Sequence, residues 1–125
     1  MEFIGYGIIA LKITVGISIL NVWLLQKNKA TKWRGGAATT ILEEFEVYGL
    51  SKQFCYIIGF LKVSFALLLL ASLQFNNLTL VGSIGLAALL LGSVMMHIKI
   101  KDPLHKSFPA SLFIVMSLLI AYAAI

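Results

Sequence analysis

The stretch YIIGFLKVSFALLLLASL at residues 56–73 decides the fold. It is apolar enough, and nearly long enough by itself, to cross a hydrocarbon core of about 30 Å, which takes ~20 helical residues. Lys62 nevertheless stands in its middle. A lysine at the centre of a membrane helix costs ~2.5–3.5 kcal/mol on insertion scales, so it marks a function or a partner. Runs of the same kind occur at about 3–26, 53–74, 78–98 and 108–125. The composition agrees, with 60% hydrophobic and only 12% charged residues, against about 25% charged in soluble domains. No segment alternates apolar and polar residues as a transmembrane barrel strand does. The expected fold class is an all-α integral membrane four-helix bundle in a single domain, 1–125.

Charge sets the expected orientation. Lys27, Lys29, Lys32, Arg34 and Lys52 lie between the first two runs, and Lys99, Lys101 and Lys106 between the last two. The N-terminal tail, the QFNN link at 74–77 and the C-terminus carry no basic residue. In an up-down-up-down order the positive-inside rule places loops 27–52 and 99–107 in the cytoplasm and both termini outside. The net charge of +5 is thereby accounted for by topology and by attraction to anionic headgroups. Nucleic-acid binding is not expected, because no basic-aromatic platform is present. Glu2 and the absence of a basic residue before the first run argue against a cleaved leader, so that span is expected to stay.

The one sizeable loop holds its own helix, at about 41–48. Thr40 followed by Glu43 is a capping box, Ile41, Leu42, Phe45 and Tyr48 share a stripe, and Gly49 suits the left-handed residue that ends a helix. Gly35 and Gly36 permit a sharp reversal that would fold the loop under the bundle. Glu43, Glu44 and Glu46 gather three of the chain's five acids there.

Lys12 raises in the first span the question Lys62 raises in the second. Both lie about nine or ten residues in, ~14 Å from an interface at 1.5 Å per residue, so both are expected near the midplane. Lys62 shares a face with Cys55, Gly59 and Ala66, and Lys12 with Gly5, Gly16, Ile19 and Trp23. Both faces suit the bundle interior. Three resolutions offer themselves: loss of the charge by desolvation, pairing with Glu43, Glu44 or Glu46, or an anionic or carbonyl-bearing ligand such as a quinone or lipid. Snorkelling, with a reach of ~6 Å, is too short from the midplane. We expect at least one glutamate within hydrogen-bonding range of a lysine. Thr14, Ser18 and Asn21 suit hydrogen bonds between helices, and Gly82, Gly85, Ala88 and Gly92 suit close packing of the third span.

Catalytic and metal sets are not found. Cys55 is the single cysteine, so no internal dithiol exists. His97 next to Met95 and Met96 resembles a metal set only superficially, since neighbouring methionines point apart on a helix. An interfacial histidine capping helix carbonyls explains it better. Asp102 has Lys99, Lys101 and Lys106 for local ion pairs, and Trp23 and Trp33 suit aromatic belts at the interfaces.

WRGG at 33–36, EEFEVYGL at 43–50, GFLKVSFALLLL at 59–70 and MHIKIKDPLHKSFPA at 96–110 together resemble the DoxX-like family of small four-helix bacterial inner-membrane proteins. By that resemblance Glu44, Lys62, His97, Lys99, Asp102 and Pro109 are family-typical positions. It implies no catalytic residues. One branch looks like a membrane subunit of a thiosulfate:quinone oxidoreductase, and others associate with redox enzymes or assist receptor assembly. The expected function is a non-catalytic accessory or assembly subunit, partnered by the bilayer and by another membrane protein or a second copy. The alternative is a redox component holding a quinone or other lipophile at Lys12, Lys62 and Cys55, with Arg34, Glu43, Glu44, Glu46, His97, Lys99 and Asp102 as partner or ion-pair candidates.

Overall fold

A computed structural model of the protein describes residues 2–125, with side chains from Gly5 onward. The side chain of Glu2, on which the leader argument rests, lies outside the described residues. Five α-helices follow in order: α1 (Glu2–Leu20), α2 (Ile41–Val47), α3 (Lys52–Ala71), α4 (Thr79–Lys99) and α5 (Phe108–Ala123). No strand occurs among the described residues. With their short extensions, four segments can cross a membrane: Gly5–Leu25, Lys52–Ala71, Asn76–Lys99 and Leu104–Ala123. The protein is an all-α, multi-pass membrane bundle.

The four long helices form a ring in which α1 and α4 each pack on both α3 and α5. Its core is Val15, Ile19, Ala66, Leu69, Leu86, Leu90 and Ile120, while large apolar side chains such as Phe60, Leu67 and Val115 face outward. Lipid is as apolar as these residues, so packing rather than water exclusion holds the helices together. At Gly82 the approach is to backbone rather than to a side chain. A Cβ there would lie 3.0 Å from the Leu69 backbone nitrogen and 3.1 Å from its Cα. The small-residue row of α4 changes use further along: nothing lies within 4 Å of a Cβ on Gly92, and Ala88 is exposed.

Three local devices shape the end of the bundle that carries the long loop. Beyond α1 the chain widens into a π-helical turn, Asn21–Leu25, closed by Gln26 N–H donating to Asn21 O at 2.9 Å, five residues back. In the loop, Thr40 caps α2 by accepting from Glu43 N–H at 3.1 Å. The Glu43 carboxylate takes the N–H and hydroxyl of Thr39 instead of closing the box on Thr40. Gly36 and Gly49 have φ +55° and +81°, the left-handed region that favours glycine. At the end of α4, Asp102 N–H donates to His97 O and Lys101 N–H to Ile98 O, both at 3.0 Å. That is a Schellman motif with Lys101, φ 58°, in the place glycine usually takes.

Thr14 does not join neighbouring helices. Its hydroxyl donates to Ala10 O at 2.8 Å within α1, and its position is exposed, so bonding back to its own helix is the satisfied state.

Candidate functional site

Lys62 is buried on α3, with 6% of its surface exposed. Its ammonium donates to Ser93 Oγ at 3.1 Å and stands 5.4 Å from the centre of the Trp23 ring. Trp23, within the π-turn, faces inward where Gly59 makes room: a Cβ on Gly59 would lie 2.7 Å from its ring. The belt position expected for Trp23 is therefore corrected. Two chambers of about 270 and 200 Å³ meet around this group, sharing Trp23, Arg34, Glu44, Lys62, Ser93 and His97. α4 offers Ala88 and Gly92 to the larger one.

The expected glutamate partner is absent from both lysines. Among the described residues no acid lies within 4.0 Å of Lys12 or Lys62. Lys12 donates to Ser72 O at 3.3 Å and Thr79 Oγ1 at 3.0 Å, both at the α3–α4 turn, the opposite end of the bundle from the long loop. It thus sits level with that turn rather than at the midplane. α1 begins well beyond the turn, as the exposed Tyr6 and the open surroundings of Gly5 and Gly7 show. Counting ~14 Å inward from its start therefore misplaced it. Reaching the helix-end carbonyl of Ser72 is what satisfies this cation, and Lys12 and Lys62 do not share a site.

Of the three loop acids, Glu44 turns inward. Its Oε2 accepts from Gly35 N–H at 2.6 Å. Glu43 is engaged with Thr39, and Glu46 is exposed. Cys55 is buried beneath Ile41 and Phe45. It borders a separate groove of about 520 Å³ between the start of α3 and the end of the first span, with Lys27 and Asn28.

The loop end of the cavity is closed by a polar network. His97, 5% exposed, is joined through Nδ1 to Asp102 Oδ2 at 2.7 Å, and its Nε2 stands 3.4 Å from Tyr48 Oη. This is not a helix-capping histidine at the interface. The Schellman turn carries Asp102 back over His97, and no glycine in the sequence announces that turn. Asp102 also accepts from Gly36 N–H at 3.1 Å and pairs with Lys106 at 3.8 Å. Lys99, an expected partner of Asp102, instead donates to Tyr48 O at 2.9 Å and caps α2. Arg34 is buried, and its guanidinium donates to the carbonyls of Gln26 at 2.8 Å and Lys29 at 3.1 Å, binding the end of the first span to the loop.

Burial pushes the Asp102 carboxyl up, but hydrogen bonds from His97 and Gly36, with the charge of Lys106, outweigh it and hold it below its ordinary value. Asp102 is therefore ionised at neutral pH. The Tyr48 hydroxyl is pushed well above its usual range by burial first, then by Glu44 and Asp102, so it remains a donor. Among the described residues no group of three or more His, Cys, Asp or Glu side chains could hold a metal ion.

The structure thus gathers Arg34, Glu44, Lys62, His97, Lys99 and Asp102 around the loop end of the cavity; Cys55, Glu43 and Glu46 lie at the same end but do not join this group, and Lys12 lies at the opposite end. Sequence reasoning missed Ser93, Tyr48 and Trp23 as site residues. Tyr48 had a signal in its place on the apolar stripe of α2, and Trp23 in its place on the inward face of the first span.

A buried cation lining a cavity within four membrane helices defines a small multi-pass membrane protein with an internal polar site. The chain belongs to the DoxX-like family, whose model matches residues 33–120. Among curated proteins and among solved structures, the comparisons found no match. All the polar closure of the cavity falls inside the matched segment, whereas Lys12 and Trp23 precede it.

Proposed function

We propose that the protein binds a lipophilic ring compound bearing an oxygen acceptor, of quinone type, in the cavity around Lys62. One observation carries this reading. The buried ammonium has three donors and a single hydrogen-bond acceptor among the described residues, Ser93, and it borders both chambers. A ligand oxygen would complete its coordination, and the apolar walls of Trp23, Phe45, Ile58 and Leu89 suit a ring. The larger chamber is near the lower end of the ~300–1,000 Å³ typical of ligand sites, enough for a head group while a tail leaves between helices. Mass spectrometry of lipids extracted from the purified native protein tests this. Lys62→Met is expected to abolish retention of the ligand, and unchanged retention would remove the lysine from the site.

An accessory or assembly role is a second reading, favoured by the first turns of α1. They stand clear of the bundle, with Gly5 and Gly7 unopposed, and offer a surface to another membrane protein. Purification in mild detergent would recover a stoichiometric companion if this reading holds. The clustering of basic loop residues supports a cytoplasmic loop end and outward termini, in a bacterial inner membrane by family likeness. A reporter fused after Ile125 checks the orientation.

A further inference from the structure

The wall facing Lys62 across the larger chamber is built differently from the rest, and its chemistry narrows the ligand. Asp102, ionised, can only accept, so its 2.7 Å contact requires a proton on His97 Nδ1. In the neutral ring that assigns the lone pair to Nε2. His97 lines the cavity, and among the described residues the one hydrogen-bond partner of Nε2 is the Tyr48 hydroxyl at 3.4 Å, well beyond the 2.5–3.0 Å of a good hydroxyl hydrogen bond. The geometry is that of an oriented base whose acceptor site is only loosely filled.

We propose, resting on the ligand reading above, that Asp102 and His97 form a proton-accepting pair that takes the hydroxyl form of the ring compound, a phenol or quinol, and binds it as the oxyanion. The ligand hydroxyl replaces Tyr48 at Nε2. Its O–H bond breaks, an N–H bond forms at Nε2, and the electron pair stays on the ligand oxygen. The resulting imidazolium is paired with Asp102. The released Tyr48 hydroxyl donates to the oxyanion, and the Lys62 ammonium supplies positive charge in the same chamber. No electron moves, so the step needs no oxidant or reductant.

The groups facing His97 are consistent with that charge arrangement. Asp102 and Lys106 approach from the α4–α5 connection, Glu44 and Tyr48 from α2, Lys62 from α3 and Arg34 from the long loop. Before binding, Lys62 and Arg34 oppose a second cation at His97, while Glu44 and Asp102 favour one. A ligand anion tips the balance toward imidazolium. Asp102 acts as a positioning residue, since it touches His97 and not the cavity.

The probe is 2-naphthol, a lipophilic ring with one hydroxyl whose ionised form absorbs at longer wavelength than the neutral form. At neutral pH the free probe is neutral. Bound to the purified full-length protein in detergent, it is expected to show the naphtholate band. His97→Gln should lower that band at least tenfold while equilibrium dialysis still detects bound probe, and Asp102→Asn should lower it too. A bound probe that stays neutral in the wild type, or a naphtholate band undiminished in His97→Gln, would overturn the pairing and leave the ligand site standing. Failure of the wild type to retain any probe would overturn both. If His97→Gln does not survive purification, Asp102→Asn carries the test through the same band measured per bound probe: a fall supports the pair, and an undiminished band refutes it.

Discussion

Replacing Asp102 by asparagine tests the network that closes the cavity. The carboxylate makes a charge-assisted contact with His97 Nδ1 at 2.7 Å, accepts from Gly36 N–H at 3.1 Å and faces Lys106 at 3.8 Å. With 6% of its side chain exposed, water cannot readily substitute. Asparagine keeps one acceptor and introduces an NH₂ group that either opposes the Gly36 donor or forces His97 into its other tautomer. Hydrogen bonds to charged groups contribute about 1.5–3 kcal/mol and neutral ones about 0.5–1.5. Gly36 is exposed and can turn to water, so the loss centres on His97 and amounts to about 2 kcal/mol. The assay is reversible unfolding in mixed micelles for the wild type, Asp102→Asn, His97→Gln and the double variant. Contacting residues couple by about 0.5–3 kcal/mol, so the double variant should cost less than the sum of the two. Strict additivity, or an Asp102→Asn loss below about 0.5 kcal/mol, would refute the reasoning.

Three further outcomes follow from the same geometry. Gly35→Ala would place a Cβ 2.7 Å from Tyr48 Cε1 and 2.9 Å from its hydroxyl. It should cost about 1–3 kcal/mol in the same unfolding assay and weaken ligand retention, because the displaced ring is the one beside His97. Gly82→Ala meets the α3 backbone rather than a movable side chain, so it should destabilise by about 1–3 kcal/mol without altering the ligand-binding spectrum. In acid, the folded-state value of Asp102 lies below its ordinary 3.8. Its stabilisation is therefore complete above that value and lost as pH falls through the folded value. Unfolding midpoints of the wild type and Asp102→Asn should converge below about pH 4 and diverge above it.

Hydropathy made the four spans legible because a bilayer demands length and apolarity and little else. The face holding Cys55, Gly59, Lys62 and Ala66 was equally readable, since helical spacing alone places it, and all four are buried. The level of Lys12 was not. It depends on how far α1 slides along its neighbours, which no local pattern encodes. The turn that lays Asp102 on His97 was hidden for another reason: a lysine occupies the left-handed position where glycine would have given the signal. Trp23 carried two readings, since helical spacing put it on the inward face with Lys12 while its place near the end of the span suggested an interfacial belt; its ring lies inside, beside Lys62 and Gly59.

A wide turn of this sort differs from an ordinary helix by one residue, and so behaves like a vernier between the two parts of the first span. Deleting a single residue within 21–25 would swing everything after it by roughly 100° while leaving the lower, membrane-packed portion in register. Indole and ammonium would then be uncoupled and Trp23 would leave its place against both apolar clusters, so the length of that short segment, more than its composition, sets which side chain greets whatever enters the bundle.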